Sequence, residues 1–345
     1  MLKNLSQLII LLTFFSCCTG NQSNEETKSE EVNVYTHRHY EVDQLLFQRF
    51  TELTGIKVNV INASADELIQ KLEIEGEISP ADVLITVDAG RLHRAKKKDL
   101  LSPVNSDLLN ENIPANFRDP EGYWFGLTYR ARVIAYSRDR VTSDQLSTYE
   151  DLANSKWKGK VLVRSSENIY NQSLLASIIV ANGRKEAKNW ARSLRSNMAR
   201  DPKGNDRDQV KAVAAEEGDL AIVNTYYIGR LLESENPEEV KAGQSVSIFF
   251  PNQEGRGTHI NVSGAGVVKY APNRKNAIKF IEFLSDTEAQ KVFAQANYEY
   301  PVKPGIELHS LLQSWGEFKA DTINLSLLGI NNKEAVLIFD EIGWN

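Results

Sequence analysis

The chain has 345 residues, well above the size of a typical single domain, which predicts two lobes rather than one compact core. Hydrophobic residues make up 41% and charged residues 25%, as in soluble globular proteins, and this excludes a disordered or fibrous chain. The 46 acidic residues outnumber the 40 Lys and Arg residues, which gives a formal net charge of -6. Because a nucleic-acid binder needs a basic surplus, we expect no nucleic-acid partner.

The N-terminal segment has the composition of an export signal. Lys3 supplies a positive charge, and the apolar run from Leu8 to Phe15 is too short to span a bilayer as a mature helix. A small serine then precedes Cys17, which resembles the cleavage and lipidation site of a bacterial lipoprotein. We therefore expect a signal peptide over residues 1–16 and a lipid on Cys17.

Residues 17–31 are polar and acidic after the cysteines, and this composition predicts a flexible, lipid-anchored tether. The alternative is an ordinary secretory signal cleaved near Gly20. Either signal places the protein outside the cytoplasm, in the periplasm or at the cell surface. Cys17 and Cys18 are the two cysteines of the chain, so thiolate metal sites, disulfides and cysteine nucleophiles are excluded from the body that follows.

Strands and helices alternate in that body. The first predicted series is a strand over Val32–Thr36, a helix over 42–55, a strand over 56–61, a helix over 64–76, a strand over 81–87 and a helix over 88–101. The second is a strand over 157–165, helices over 173–183 and 206–218, a strand over 219–225, a helix from 226, a strand over 261–270 and a helical stretch over 273–297 broken near Ser285. This alternation predicts parallel α/β units.

Three local patterns refine these elements. The first helix should bury one face carrying Leu46, Phe50 and Leu53. Ser64 and Glu67 have the spacing of a capping box at a helix start. The Gly-Ala-Gly sequence at 264–266 lies inside a strand and predicts a close approach of two backbones at a hinge between lobes.

Tyrosines stand at three junctions between a strand and a helix. Tyr40 follows the first strand, Tyr170 precedes the helix over 173–183, and Tyr226 and Tyr227 follow the strand over 219–225. An open α/β sheet presents such junctions to its ligand cleft. The alternative is that each ring covers a core while its hydroxyl stays in water. Tyr149 lies in a polar segment away from these junctions, and we expect it to take no part in a site.

Clustered phenols suit a hard trivalent cation. A phenol has a pKa of about 10 and ionises at neutral pH only when a strong cation stabilises the phenolate. Phenolate is a hard oxygen donor, so Fe(III) is the expected ion, and His39 could add an imidazole nitrogen. Standard phosphate-loop, dinucleotide, zinc-protease and serine-hydrolase motifs do not occur in the sequence, so we expect no enzyme.

Several segments resemble the periplasmic ferric-iron-binding proteins of ABC iron uptake systems. The segments are RHY near the first strand, ADVLITVDAGRLHRA, WFGLTYRARVIAYSRD, NIYNQSLLAS, NTYYIGRLLES and FFPNQEGRGTHINVSGAGVVKYAPN. The resemblance implies an α/β, two-lobe type II periplasmic binding protein fold, with hinge strands near 130–136 and 260–268 and Fe(III) held in the cleft. It implies an N-terminal lobe of residues 32–130 with 262–305 and a C-terminal lobe of residues 131–261 with 306–345.

The resemblance also implies the ligands of the ion. The family's residues match His39, Tyr40, Tyr170, Tyr226 and Tyr227. Arg130, Arg132, Arg230 and Arg256 are candidates to balance the negative charge of four phenolates, since arginine stays cationic. His259 precedes a hinge strand, and we expect it to make a structural hydrogen bond.

The expected function is the extracytoplasmic Fe(III)-binding component of an ABC importer. Its partners would be the permease and the ATPase of the cytoplasmic membrane, and the protein is expected to be a monomer that touches the membrane only through its lipid. Two alternatives stay open at this point. One is capture of an organic cation or sugar that stacks on the tyrosines, and the other is a metal-dependent hydrolase.

Overall fold

A computed structural model describes residues 30–344 of the chain. The predicted signal peptide over 1–16, the lipidation site Cys17 and the predicted tether up to residue 29 lie outside the described residues. Within 30–344, no helix is long and apolar enough to cross a membrane.

Residues 30–344 form one mixed sheet with helices packed around it. The strands are β1 Glu31–Thr36, β2 Lys57–Asn62, β3 Val83–Val87, β4 Leu101–Ser102, β5 Phe125–Ser137, β6 Val161–Leu162, β7 Leu220–Asn224, β8 Val246–Phe249, β9 Ile260–Val268 and β10 Tyr300–Pro301. The helices are α1 Glu41–Thr54, α2 Ala65–Glu75, α3 Ala89–Lys97, α4 Asp107–Asn112, α5 Ile169–Ser196, α6 Asp206–Ala214, α7 Thr225–Leu232, α8 Pro237–Gln244, α9 Arg274–Ser285, α10 Thr287–Ala296, α11 Ser310–Ser314, α12 Ser326–Ile330 and α13 Asn332–Ile342.

The strand order is β2-β1-β3-β9-β5-β7-β6, with β4 paired to β9 and with β8 and β10 paired to β5. The pairs β2-β1, β1-β3 and β6-β7 are parallel, as strands joined through helices require. The long strands β5 and β9 run antiparallel to each other and to their other neighbours in the middle of the sheet. The sheet is therefore two parallel regions joined by two central antiparallel strands.

β5 passes from one region of the sheet to the other at Ala131 and Arg132. Its first part pairs with β9 and β10, and from Arg132 onward it pairs with β7, from Ile134 also with β8. β5 and β9 contain the segments near 130–136 and 260–268 that were predicted as hinge strands. The division of the chain into lobes at these positions stays a prediction. α13 packs on α5, and α12 packs on both α3 and α5, so the C-terminal segment contacts both regions.

Most predicted elements agree with the structure, with three local outcomes. The capping box at α2 is complete, because Ser64 accepts from the Glu67 amide and Glu67 accepts from the Ser64 amide. The glycines of β9 approach a neighbouring backbone closely, since a Cβ at Gly264 would lie 2.6 Å from the Phe125 carbonyl oxygen. The prediction that Leu53 is buried was wrong, because its side chain is 64% exposed at the end of α1.

Candidate metal centre

The four predicted tyrosines lie at the starts of three helices. Tyr40 is the N-cap residue of α1 and directly follows the turn after β1. Tyr170 is the second residue of α5. Tyr226 and Tyr227 lie in the first turn of α7, immediately after β7. Each phenol therefore lies where the backbone enters a helix, as the sequence predicts.

The structure brings these phenols together. The hydroxyl oxygens of Tyr170 and Tyr226 are 3.3 Å apart. The rings of Tyr226 and Tyr227 lie on the same side of α7, with centroids 4.2 Å apart and planes inclined by 31°. The Arg230 guanidinium lies 4.4 Å from the Tyr40 ring and 5.8 Å from the Tyr226 ring, and so lies between Tyr40 and Tyr226. We call the four residues Tyr40, Tyr170, Tyr226 and Tyr227 the tyrosine cluster.

Burial governs the ionisation of Tyr40, Tyr226 and Tyr227. It raises the pKa of Tyr226 well above the usual value, and the neighbouring phenols Tyr170, Tyr227 and Tyr40 raise it further. Burial, with the Glu299 carboxylate as the next cause, raises the pKa of Tyr40 to about 12. Burial also raises the pKa of Tyr227. These three phenols are therefore protonated at neutral pH, and a cation must displace their protons to bind them.

His39 lies beside the cluster but on its solvent side. Its side chain is exposed, its ring centroid is 5.5 Å from that of Tyr40, and its Nδ1 atom is 3.4 Å from the His37 carbonyl oxygen. The imidazole therefore adjoins one phenol without joining the packed tyrosines.

Guanidinium groups stand over the tyrosine rings. Arg130, Arg132 and Arg164 lie 5.4, 5.8 and 5.6 Å from the centroid of the Tyr170 ring. Arg38 lies 4.9 Å from the Tyr40 ring, on which Arg230 also acts. A positive charge near a phenol favours the phenolate, so this lining prepares the cluster for anionic ligands to a metal. It also disfavours a cationic organic ligand at the same rings.

Arg130 has unused donors in this position. It is 1% exposed, and its Nη1 donates to Ser263 Oγ over 3.3 Å. Its Nε and Nη2 atoms are buried without a hydrogen-bond partner among residues 30–344. Buried donors without partners are costly, and phenolates formed on metal binding would supply acceptors. Arg130 is therefore the arginine best placed to balance the charge of the bound ligands.

Two of the other predicted arginines already have anionic partners. Arg132 forms a buried ion pair with Asp206. Arg256 forms ion pairs with Asp321 and Glu150 and lies over the Tyr149 ring instead of the tyrosine cluster. Its place in the fold therefore supports a structural role.

Four charged residues near the cluster were not predicted from the sequence: Arg38, Arg164, Asp206 and Glu299. Arg38 pairs with Asp43 and Glu299 in the interior, and Glu299 also accepts from Thr128 and Asn297. Arg38 stands next to His39 in the HRHY run, so its position was a usable signal. Glu299 is 261 residues away from its partner Arg38, and no local pattern indicates that contact.

Tyr149 and His259 contact each other away from the tyrosine cluster. Tyr149 is fully buried: its hydroxyl donates to the Arg132 carbonyl and accepts from the His259 amide, 3.2 Å away. It thus joins β5 to the start of β9. The expected hydrogen bond of His259 comes from its backbone, since its imidazole Nδ1 is buried without a partner within the described part of the chain.

The donor set indicates which ions the cluster could hold. Among residues 30–344, no group of three or more His, Cys, Asp or Glu side chains could hold a metal ion. The phenols of the tyrosine cluster are therefore the candidate donors. Four hard oxygen donors surrounded by fixed cations fit a small, highly charged, hard ion.

Comparisons with known proteins agree with this chemistry. The profile of the family described as "Bacterial extracellular solute-binding protein" matches residues 79–314. "Iron uptake protein A1" of Synechocystis sp. is 53% identical over 317 residues, which cover 92% of this chain and 88% of the relative. The chain belongs to this family of extracellular solute-binding proteins.

Solved structures give the fold. A Trichodesmium protein (IdiA, FutA), solved in complex with iron and citrate ligands, superposes with a TM-score of 0.90 at 51% identity. The superposition covers 91% of this chain and 100% of the Trichodesmium chain. The "Ferric binding protein from Campylobacter jejuni" has a TM-score of 0.86 at 47% identity, with 91% and 100% of the two chains covered. The resemblance to ferric-binding proteins and the two-lobe type II periplasmic binding fold are thereby confirmed.

Proposed function

We propose that this protein captures Fe(III) outside the cytoplasm through the phenolates of Tyr40, Tyr170, Tyr226 and Tyr227. The observation that carries the proposal is the contact of the Tyr170 and Tyr226 hydroxyls at 3.3 Å beneath three guanidinium groups. Relatives of about half identical sequence carry iron in their names or in their structures, which supports the same cargo here. Iron is the transported substrate of this site.

Binding replaces protons by the ion. Each phenol that coordinates Fe(III) loses its proton, and four phenolates on a trivalent ion carry one net negative charge. The free Nε and Nη2 donors of Arg130 and the guanidinium of Arg230 over Tyr40 and Tyr226 compensate that charge. His39 adjoins Tyr40 from the solvent side, and we propose it as a further ligand that completes the coordination.

The delivery step places the protein at a membrane. We propose that it is the binding component of an ABC importer, that it passes iron to a permease with its ATPase, and that it works as a monomer without catalytic activity. The family of extracellular solute-binding proteins supports this placement. The signal over 1–16 would direct export and be removed, and a lipid on Cys17 would then hold the protein at the outer side of the cytoplasmic membrane or at the cell surface.

The proposed movement is a closure of two lobes around the ion. The lobes would be residues 32–130 with 262–305 and residues 131–261 with 306–345, with β5 and β9 as the hinge strands. Tyr40 belongs to the first of these lobes, and the other three tyrosines belong to the second. The cluster therefore forms only when both lobes meet, which matches domain closure in binding proteins generally.

Visible spectroscopy tests the proposal. Metal-free protein mixed with Fe(III) nitrilotriacetate and then desalted should keep iron and show an intense visible band from phenolate-to-iron charge transfer. The band should follow iron content to one ion per chain. A colourless protein that retains no iron after desalting would contradict the proposal.

A further inference from the structure

A buried ion pair lies close to the three tyrosines of α5 and α7. Arg132 Nη1 donates to Asp206 Oδ2 over 2.8 Å, and the two side chains are 2% and 0% exposed. Arg132 lies on β5 and Asp206 is the first residue of α6. Neither element carries a tyrosine of the cluster. Arg132 lies over the Tyr170 ring, and the pair reaches the starts of α5 and α7 through hydrogen-bonded neighbours.

One branch from the pair reaches α7. The backbone N–H of Asn224 donates to Asp206 Oδ2 over 2.8 Å, and Arg132 Nη1 donates to Asn224 Oδ1 over 3.2 Å. Asn224 is the N-cap residue of α7, but its side chain accepts no hydrogen bond from the backbone N–H groups of that helix. The ion pair therefore fixes Asn224, which directly precedes the helical turn that carries Tyr226 and Tyr227.

A second branch reaches α5. Arg132 Nη2 donates to Asn171 Oδ1 over 2.8 Å, next in sequence to Tyr170. Asn171 Nδ2 in turn donates to the Arg164 carbonyl over 2.7 Å, and Arg164 Nη1 donates back to Asp206 Oδ1 over 3.2 Å. The loop before α5 is thus tied to the same carboxylate that holds the start of α7.

We infer that Asp206 is a positioning residue, which aligns Tyr170, Tyr226 and Tyr227 before iron arrives. This inference rests on the proposed function and adds to it the group that prepares one half of the site. Both oxygens of Asp206 are engaged, and its charge neutralises Arg132, so Arg132 serves alignment rather than charge balance. Buried charge pairs with full hydrogen bonding hold a single geometry. Asp206 has no role as an iron ligand in this arrangement.

The variant Asp206→Asn tests the inference, with the iron-loaded wild type measured first. The amide keeps the size of the side chain but removes the charge that holds Arg132. We expect the charge-transfer band to shift and the rate of iron loss to a competing chelator to rise on the order of tenfold to a hundredfold, as for other groups that orient metal ligands. Wild-type band position and wild-type rate in a folded Asp206→Asn protein would overturn the inference.

A double variant separates positioning from stability. Asp206→Asn leaves Arg132 buried and unpaired, which is strongly destabilising, whereas Asp206→Asn with Arg132→Met removes both charges. We expect the double variant to recover thermal stability without recovering the wild-type band or the wild-type rate. Joint recovery of stability, band and rate would assign the pair a purely structural role. If the single variant does not fold, the double variant decides the question alone.

Asp119→Asn is the matched control. Asp119 is also a carboxylate with no exposed side-chain surface, and it pairs with Lys96 away from the tyrosine cluster. Its loss should lower stability and leave the band and the iron release rate unchanged. A shift of the band in Asp119→Asn equal to that in Asp206→Asn would overturn the inference, since any buried charge would then act alike. A colourless wild type would instead remove the proposed function, and the inference with it.

Discussion

Two groups of buried or partly buried tyrosines in this protein have similar phenols and different surroundings. In the sheet, Tyr129 on β5 stacks on Tyr300 on β10 with ring centroids 5.0 Å apart, and burial raises the pKa of Tyr129 to about 12. In the tyrosine cluster, burial raises the pKa of Tyr40 to the same value. Burial and phenol pKa therefore do not distinguish a metal site from a packed core.

The neighbours of the rings make the difference. The Tyr129–Tyr300 pair packs against Phe117 and Phe318, with centroids 5.1 and 5.4 Å away, and the Tyr300 hydroxyl is buried without a partner among the described residues. In the cluster, guanidinium groups lie over the rings and two hydroxyls face each other. Hydrophobic walls favour the neutral phenol, whereas fixed cations allow the phenolate that a metal requires.

Removing one tyrosine hydroxyl from each group should give the largest difference in iron binding between two variants. Tyr227→Phe keeps the ring and its packing but removes the oxygen that can bind iron, so we expect more than about a hundredfold loss of iron affinity and a shifted band. Tyr300→Phe should leave both unchanged and alter the free energy of unfolding by less than about 1.5 kcal/mol. Competition with a chelator and visible spectra measure these effects. Equal iron binding by the two variants would show that the site is misplaced.

The second difference between the two tyrosine groups should be the number of protons that they release when iron binds. The phenols of Tyr40, Tyr226 and Tyr227 are protonated in the metal-free protein because their pKa values are raised, and they must be deprotonated in the complex. Affinity therefore falls as pH falls, by about tenfold per pH unit for each proton released. For Tyr40 this dependence extends up to its free pKa of about 12.

Calorimetry in buffers of different ionisation heat measures that release at pH 7.5. We expect one proton for each coordinating phenol and one fewer in Tyr227→Phe. Tyr300→Phe should release the wild-type number. Iron binding without proton release at this pH would contradict phenolate ligation.

The charge environment should have a smaller effect than the ligands themselves. Arg130→Met removes the cation with free donors over Tyr170, and we expect iron affinity to fall about tenfold to a hundredfold with little change in the metal-free fold. Arg256→Met breaks the pairs with Glu150 and Asp321 and should lower the melting temperature without changing iron affinity. Chelator competition and thermal melting of both variants check this contrast. A larger loss of iron in Arg256→Met than in Arg130→Met would reverse our assignment.

Features that depend on residues close in the chain could be predicted from the sequence. Burial could not, because it depends on how distant elements pack. Ser64 and Glu67 cap α2 because both lie within one turn of backbone. Leu53 fits the same helical periodicity as Leu46 and Phe50, yet it is exposed while they are buried. Periodicity gives the direction of a side chain around a helix axis, but only the neighbouring elements decide where the core ends. Tyr149 is buried although its neighbours in sequence are polar, because those residues are not its neighbours in space.

From local patterns in the chain, the class of the protein and a set of candidate donor atoms could be predicted. The alternation of strands and helices puts Tyr40, Tyr170, Tyr226 and Tyr227 at helix starts, and the absence of cysteine in the body leaves hard donors. The charges that surround those donors follow from packing between distant parts of the chain. Arg38 meets Glu299 from 261 positions away and Arg132 meets Asp206 from 74 positions away, because long-range strand pairing brings them together. Such contacts depend on the packing of whole elements, which no local pattern in the chain encodes.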